Sequence, residues 1–325
     1  MGRRKALSRR GILGGGVASG LLALGACSPS ERQQQRPSGT PPVPKTGMHL
    51  VTLGTKGGPT LRSDRSNPAN ALIVDGVVYV VDCGMGVSRQ LVLAGLELSA
   101  VRAVFITHHH SDHNLEFGNL LNAAWNANLT HRIGFHAPPG MKDMLAGYLA
   151  MNRFDIDLRI ADQGLPDPRG LAEAREFAGD GEVYRDELVR VTAARNNHPP
   201  VTESYALRFD TRYGSVVFSG DTTPFDAVVR LAQGADWLVH EVLHLPSLDK
   251  LLAAQPTETR LKEHLLASHT TNEQVANVAL EAKAGNLVLT HLVSFGPVTD
   301  AEWERSCRGA WRSPLVVAAD LRQVF

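Results

Sequence analysis

The chain has 325 residues, 43% of them hydrophobic, enough to bury a large core in one or two domains. Its 33 basic and 33 acidic residues cancel, but residues 1–27 hold Arg3, Arg4, Lys5, Arg9 and Arg10 and no acid, leaving 28 basic against 33 acidic side chains beyond them. That balance argues against a protein gripping nucleic acid through its phosphates, and Cys83 and Cys307 alone are no disulfide framework.

The first 27 residues read as a targeting segment: a basic start, then an apolar stretch from Gly11 to Ala26 that is too short to span a membrane. Ser8-Arg9-Arg10-Gly11-Ile12-Leu13 resembles a twin-arginine export signal, and Leu24-Gly25-Ala26-Cys27 resembles a bacterial lipobox. Together they predict a lipid on Cys27 and an exported protein, periplasmic or on the cell surface, held to a membrane. Residues 28–45, rich in Ser, Gln, Arg and Pro, read as an extended tether.

Beyond the tether the texture is α/β. Residues 48–53 form a strand pattern ending in Gly54, and residues 71–81 read as a hairpin turned at Asp75-Gly76. Residues 101–107 are an apolar, β-branched strand running into His108-His109-His110-Ser111-Asp112-His113. Helical periodicity follows at about 116–126 and 140–152, and the polar stretch 155–180 reads as a surface insertion. Strands return near 187–192, 205–210, 215–219 and 237–240. A helix over 271–284, a strand over 286–289, a helix from about 300 and a strand over 315–318 complete the chain. Two strand-rich halves flanked by helices predict two sheets packed face to face with helices outside, a four-layer αββα sandwich forming one catalytic domain over 46–325.

Four strand ends carry metal-ligand side chains. In the loop after residue 107, His108 and His110 can turn their rings to one point, while Asp112 and His113 aim at a second. Nitrogen and carboxylate donors at that spacing suit zinc. His198 lies past one strand and before a proline pair, Asp221 ends another at Gly220, and His291 ends a third. One strand-end histidine is usually an ordinary loop residue; four ends that each deliver a ligand are not.

With these residues the chain resembles the metallo-β-lactamase superfamily over about residues 48–320. The resemblance implies two zinc ions, His108, His110 and His198 holding one, Asp112, His113 and His291 the other, and Asp221 bridging, with a shared hydroxide as nucleophile. Ala267-Ser268-His269-Thr270-Thr271, read as opening a helix, resembles a region of ribonuclease Z and of arylsulfatase-like relatives. There His269 would serve as general acid. Glu241, in a segment also resembling that branch, would orient His269, while His240 would be buried structure.

Asp82-Cys83-Gly84, Arg65-Ser66-Asn67-Pro68 and the segment between Glu241 and His269 resemble the arylsulfatase-like proteins most, and only 22 residues separate His198 from Asp221, too few for the long arm of ribonuclease Z. The expectation is a dinuclear zinc hydrolase of sulfate or phosphate esters. Asp112 would handle the nucleophile's proton, selectivity would lie in loops 155–180 and 243–264, and the substrate would be a small-molecule ester. Nucleic acid is not expected as a partner, and a homodimer is left open. Two alternatives stand beside this: a ribonuclease Z-like phosphodiesterase or nuclease, and a tethered metal-binding protein without turnover.

Overall fold

The computed structural model describes residues 43–254 and 259–325; the export segment, Cys27 and residues 28–42 of the tether lie outside them. Two seven-stranded sheets form. The first takes β1 (Met48–Gly54), β2 (Ala69–Val74), β3 (Val77–Val81), β4 (Val101–Phe105), β5 (Ile133–Ala137) and β6 (Ala172–Glu176). The second takes β7 (Gly181–Arg185), β8 (Val189–Arg195), β9 (Tyr205–Thr211), β10 (Gly214–Phe218), β11 (Trp237–Leu243), β12 (Asn286–Val293) and β13 (Leu315–Val317). The last strand, β14 (Arg322–Gln323), returns to the first sheet beside β1.

Both sheets are mixed in the same way. β1, β2 and β3 pair antiparallel and β3 to β6 parallel; β7 to β10 pair antiparallel and β10 to β13 parallel. The β2–β3 hairpin turns where the pattern placed it, with Asp75 at φ 48° and Gly76 at φ 83°, the left-handed pair that a two-residue turn requires.

Period-two alternation assembles the layers. In β3, Tyr79 and Val81 face the other sheet, while Val78 and Val80 face the helices Val87–Leu93 and Phe117–Asn126. In β12, Val288 points between the sheets, and Leu287 and Leu289 point to the helices Val275–Glu281 and Asp300–Arg308. Apolar on both faces, these strands read as continuous hydrophobic runs, and the result is the four-layer αββα sandwich.

Two local expectations change. Residues 155–180 are no irregular insertion: the helix Arg153–Gln163 is followed by β6 on the sheet edge. That helix is polar on most faces, buries Ile156, is braced by the Asp155–Arg159 pair and stops at Gly164 with φ 67°. β6 is only partly buried, so neither element carries a clean apolar period. The second change is at 271–284. Helix begins only at Val275, because the Gln274 side chain accepts from Thr271 N–H and hydroxyl and holds a turn, and it stops before Lys283 at φ 50°. Cys83 and Cys307 are buried and unpaired.

Candidate metal centre

The chain crosses to the site where parallel strands end, the position where α/β sheets gather ligands. Asp82, at φ 64° just past β3, sets the first loop: its carboxylate accepts from Thr107 N–H at 2.8 Å and from the Thr107 hydroxyl at 3.1 Å. A one-turn helix, Ser111–Asn114, then carries Asp112 and His113 back inward, and His113 C=O accepts from Cys83 N–H. Gly84 must be glycine, since a Cβ there would lie 2.3 Å from the Asp112 carbonyl oxygen.

The predicted ligands converge in overlapping groups, which also join His108, His113 and Asp221, bring His269 beside His198 and Asp221, and bring it beside Glu241 and His291. His108, His110 and His198 form one group whose donor atoms lie within 4.8 Å of one another, and Asp112, His113 and His291 form another. His110 Nδ1 is 3.0 Å from His108 Nε2 and 3.1 Å from His198 Nε2. Asp221 lies between the groups, with Oδ1 3.3 Å from His113 Nε2 and Oδ2 3.1 Å from His291 Nε2 and 3.8 Å from His198 Nε2. His109 turns away to Asn114 and the Pro138 carbonyl.

Outer contacts fix the tautomers. His113 Nδ1 donates to Asp82 Oδ2 at 2.8 Å, and His198 Nδ1 donates to the Ser268 carbonyl at 2.8 Å. Both partners only accept, so each ring's Nε2 turns a lone pair toward the centre. Buried His113 Nε2 and Asp221 Oδ1 face each other at 3.3 Å, and among the described residues neither makes a hydrogen bond. Ring nitrogens converging on buried carboxylate oxygens are the donor set a cation site requires, so the residues fit a metal.

The ionisation of the cluster is set by burial and by its own charges. Burial first, then neighbouring imidazolium charge, pulls His108 below its ordinary value, and His110 and His198 are lowered chiefly by burial. Burial would raise Asp112 and Asp221, but His113 and His291 outweigh it and hold both below the usual carboxylate range. Against the opposing effect of burial, Asp221, Asp82 and Asp112 push His113 up.

His269 stands beside this centre. It does not open a helix as expected; the helix Thr259–Ser268 ends just before it, Ser268 bonds the Pro199 carbonyl and Thr270 bonds the Thr222 carbonyl. Its Nδ1 lies 3.0 Å from Glu241 Oε1, which also accepts from Thr222 N–H at 2.9 Å. Burial would lower His269, but Glu241 prevails and it is pushed up to about 9. His240 is fully buried and bonds the Glu241 carbonyl, away from the centre.

A pocket of about 590 Å³ opens over the groups. Of the two loops expected to set selectivity, 243–264 contributes Leu261 and His264, and 155–180 contributes nothing. Its other wall, from Lys56 to Thr60, escaped the sequence reading, although a Gly-rich turn leaving a strand was the available signal. Asp82 also escaped as a partner of His113, because the two are 31 positions apart.

Comparison with known proteins follows the same lines. The family model described as "Beta-lactamase superfamily domain" matches residues 78–292. Ribonuclease Z of Mycobacterium bovis (strain BCG / Pasteur 1173P2) is 31% identical over 284 residues, covering 85% of this chain and 98% of that protein. Among solved structures, the metallo-β-lactamase fold protein YhfI from Bacillus subtilis superposes with a TM-score of 0.63 at 21% identity, and human tRNase Z, short form, with 0.62 at 21%; each comparison covers 86% of this chain and 99% of the other. These relatives overturn the expectation that nucleic acid is no partner. Net charge over a whole chain says little about one pocket, and here Lys56 and Arg62 line it.

Proposed function

The chain belongs to the β-lactamase superfamily and is a metal-dependent hydrolase of ester bonds; from that premise we propose that its ester is a phosphodiester, cleaved in the manner of ribonuclease Z. The observation that carries this reading is the 31% identity to a ribonuclease Z across 98% of that protein's length. It displaces sulfate esters as the leading substrate class.

We take the cations to be zinc, which His108, His110 and His198 would hold in one group and Asp112, His113 and His291 in the other, with Asp221 between the groups, because imidazole nitrogen dominates the donor set. When bound, such ions supply Lewis acidity toward phosphoryl oxygens and a lowered pKa for water. The chain's own residues supply the rest. Asp112, 6% exposed and facing His113 and His291, is placed to hold the attacking water's proton. His269, kept protonated by Glu241, is placed to give a proton to the departing oxygen. Glu241 acts through His269 as a positioning residue.

The test is turnover of bis(p-nitrophenyl) phosphate, p-nitrophenyl sulfate and a precursor tRNA by the zinc-loaded chain. Diester and RNA cleavage well above sulfate turnover is expected; faster sulfate turnover would return the reading to sulfate esters. We further propose export and a lipid on Cys27, supported by the twin-arginine and lipobox patterns. A Cys27→Ala variant found in the soluble fraction, with the parent in membranes, is the expected result.

A further inference from the structure

Lys56 leaves β1 at the pocket and is held there by its backbone. Its N–H donates to the Ser66 carbonyl at 2.9 Å, and Gly57 N–H donates to the Leu292 carbonyl at 3.2 Å. A Cβ on Gly57 would fall 2.8 Å from His291 Nδ1 and 2.5 Å from Val293 Cγ2, so this turn lies directly against the end of β12. The Lys56 side chain is only 7% exposed and lines the same pocket as Asp112, Asp221 and His269. Its ammonium donates to the carbonyls of Gly57 at 2.8 Å and Gly58 at 2.7 Å, which engages two of its three N–H donors.

Its charge has no partner. Among the described residues no carboxylate forms an ion pair with Lys56, whereas Arg62, the neighbouring cation on the pocket wall, is neutralised by both Asp64 oxygens at 2.8 and 3.0 Å. Asp112 is near enough to be felt, but its carboxylate is turned toward His113 and His291. An ammonium held out of water without a counter-ion is unfavourable unless something supplies the anion. Elsewhere on the wall Leu261, Leu265, Val293 and Phe295 form an apolar part, and Thr60, Ser111, His264 and Ser294 are polar but carry no negative charge.

We propose that Lys56 is the anion subsite of this pocket: its free N–H binds a non-bridging phosphate oxygen, so that substrates carrying a negative charge at the reacting centre are selected over neutral esters. The apolar wall then takes the aryl or nucleoside group on the ester. This rests on the phosphodiester reading and adds to it the residue that distinguishes an anionic ester from an uncharged one.

The experiment compares the parent chain with Lys56→Met, Lys56→Gln and Lys56→Arg, each zinc-loaded and checked for metal content and melting temperature. Two readouts are taken: the ratio of kcat/KM on bis(p-nitrophenyl) phosphate to that on neutral p-nitrophenyl acetate, and calorimetric binding of inorganic phosphate. Loss of one charge-assisted hydrogen bond predicts a fall in the ratio of roughly 10- to 100-fold in Met and Gln, with phosphate binding weakened in parallel and both largely restored in Arg. A ratio and a phosphate affinity that stay at the parent value in Met and Gln would overturn the proposal and leave Lys56 as a cap on its own turn. If Met does not fold, Gln, which keeps an N–H for the Gly57 carbonyl, decides. If the parent hydrolyses the acetate but not the diester, the phosphodiester reading fails by itself, and phosphate binding still judges Lys56.

Discussion

Changing Asp82 to asparagine isolates the tautomer of His113. Asp82 is 4% exposed, and its carboxylate accepts from Thr107 N–H and from His113 Nδ1, each at 2.8 Å. Asparagine keeps one acceptor and tolerates the φ of 64°, so the loop survives. With its oxygen on Thr107, however, its amide N–H meets His113 Nδ1, which must then accept. The proton moves to Nε2, the nitrogen 3.3 Å from Asp221, and a protonated nitrogen has no lone pair for a metal. The reverse amide orientation sets two donors against each other at Thr107. Losing such an outer partner costs about 10- to 100-fold in metal affinity, or about 1.4–2.8 kcal/mol. Asp82→Ala instead leaves Thr107 N–H and His113 Nδ1 unpaired, while the Thr107 hydroxyl keeps His108 Nδ1 at 3.1 Å, and destabilises the fold by about 2–6 kcal/mol. Competitive chelator titration measures the first effect, and urea unfolding of the metal-free chain measures the second. An Asp82→Asn chain that binds zinc as the parent does would refute the reasoning.

His269→Ala is expected to keep its metal content by emission spectrometry while kcat on the diester falls about 10²- to 10⁴-fold; normal turnover would remove its role as acid. His136, buried between the sheets with its ring stacked 5.0 Å from Phe105, is pulled down to about 4 chiefly by burial and also by Arg175. Between pH 6.5 and 4 the unfolded chain therefore takes up a proton that the folded chain refuses, and stability falls as pH falls through that window. The loss is about 2 kcal/mol from pH 7 to 5, and His136→Phe, denatured in urea at both pH values without metal, should lose that part of the slope.

The histidine run was legible because ligand side chains at strand ends are a local pattern, and so were most inner strands, whose apolar runs report burial on both faces; β5, short and interrupted by Gly134 and His136, was not read. β6 and β7 were obscure for the opposite reason: each lies at a sheet edge and is half exposed, so its side chains carry little hydrophobic period. The helix Arg153–Gln163 buries only Ile156 and was read as loop. His269 and its partner Glu241, 28 positions back, were found through the resemblance, and only the backbone setting was not, since His269 follows a helix rather than opening one. Lys56 gave no signal as a single lysine; its meaning depends on burial and on Asp64 having claimed Arg62. Charge summed along the chain pointed away from nucleic acid because it averages over the whole surface and says little about one pocket.

The most direct test of a paired metal centre that cleaves phosphodiesters is metal content measured alongside turnover, through chelation and zinc re-addition. Two zinc equivalents per chain are predicted, with hydrolysis of bis(p-nitrophenyl) phosphate lost on chelation and restored by zinc, and with one equivalent or fewer retained in Asp221→Ala. Undiminished diester turnover by the metal-free chain, or a chain that holds no metal at all, would contradict the account.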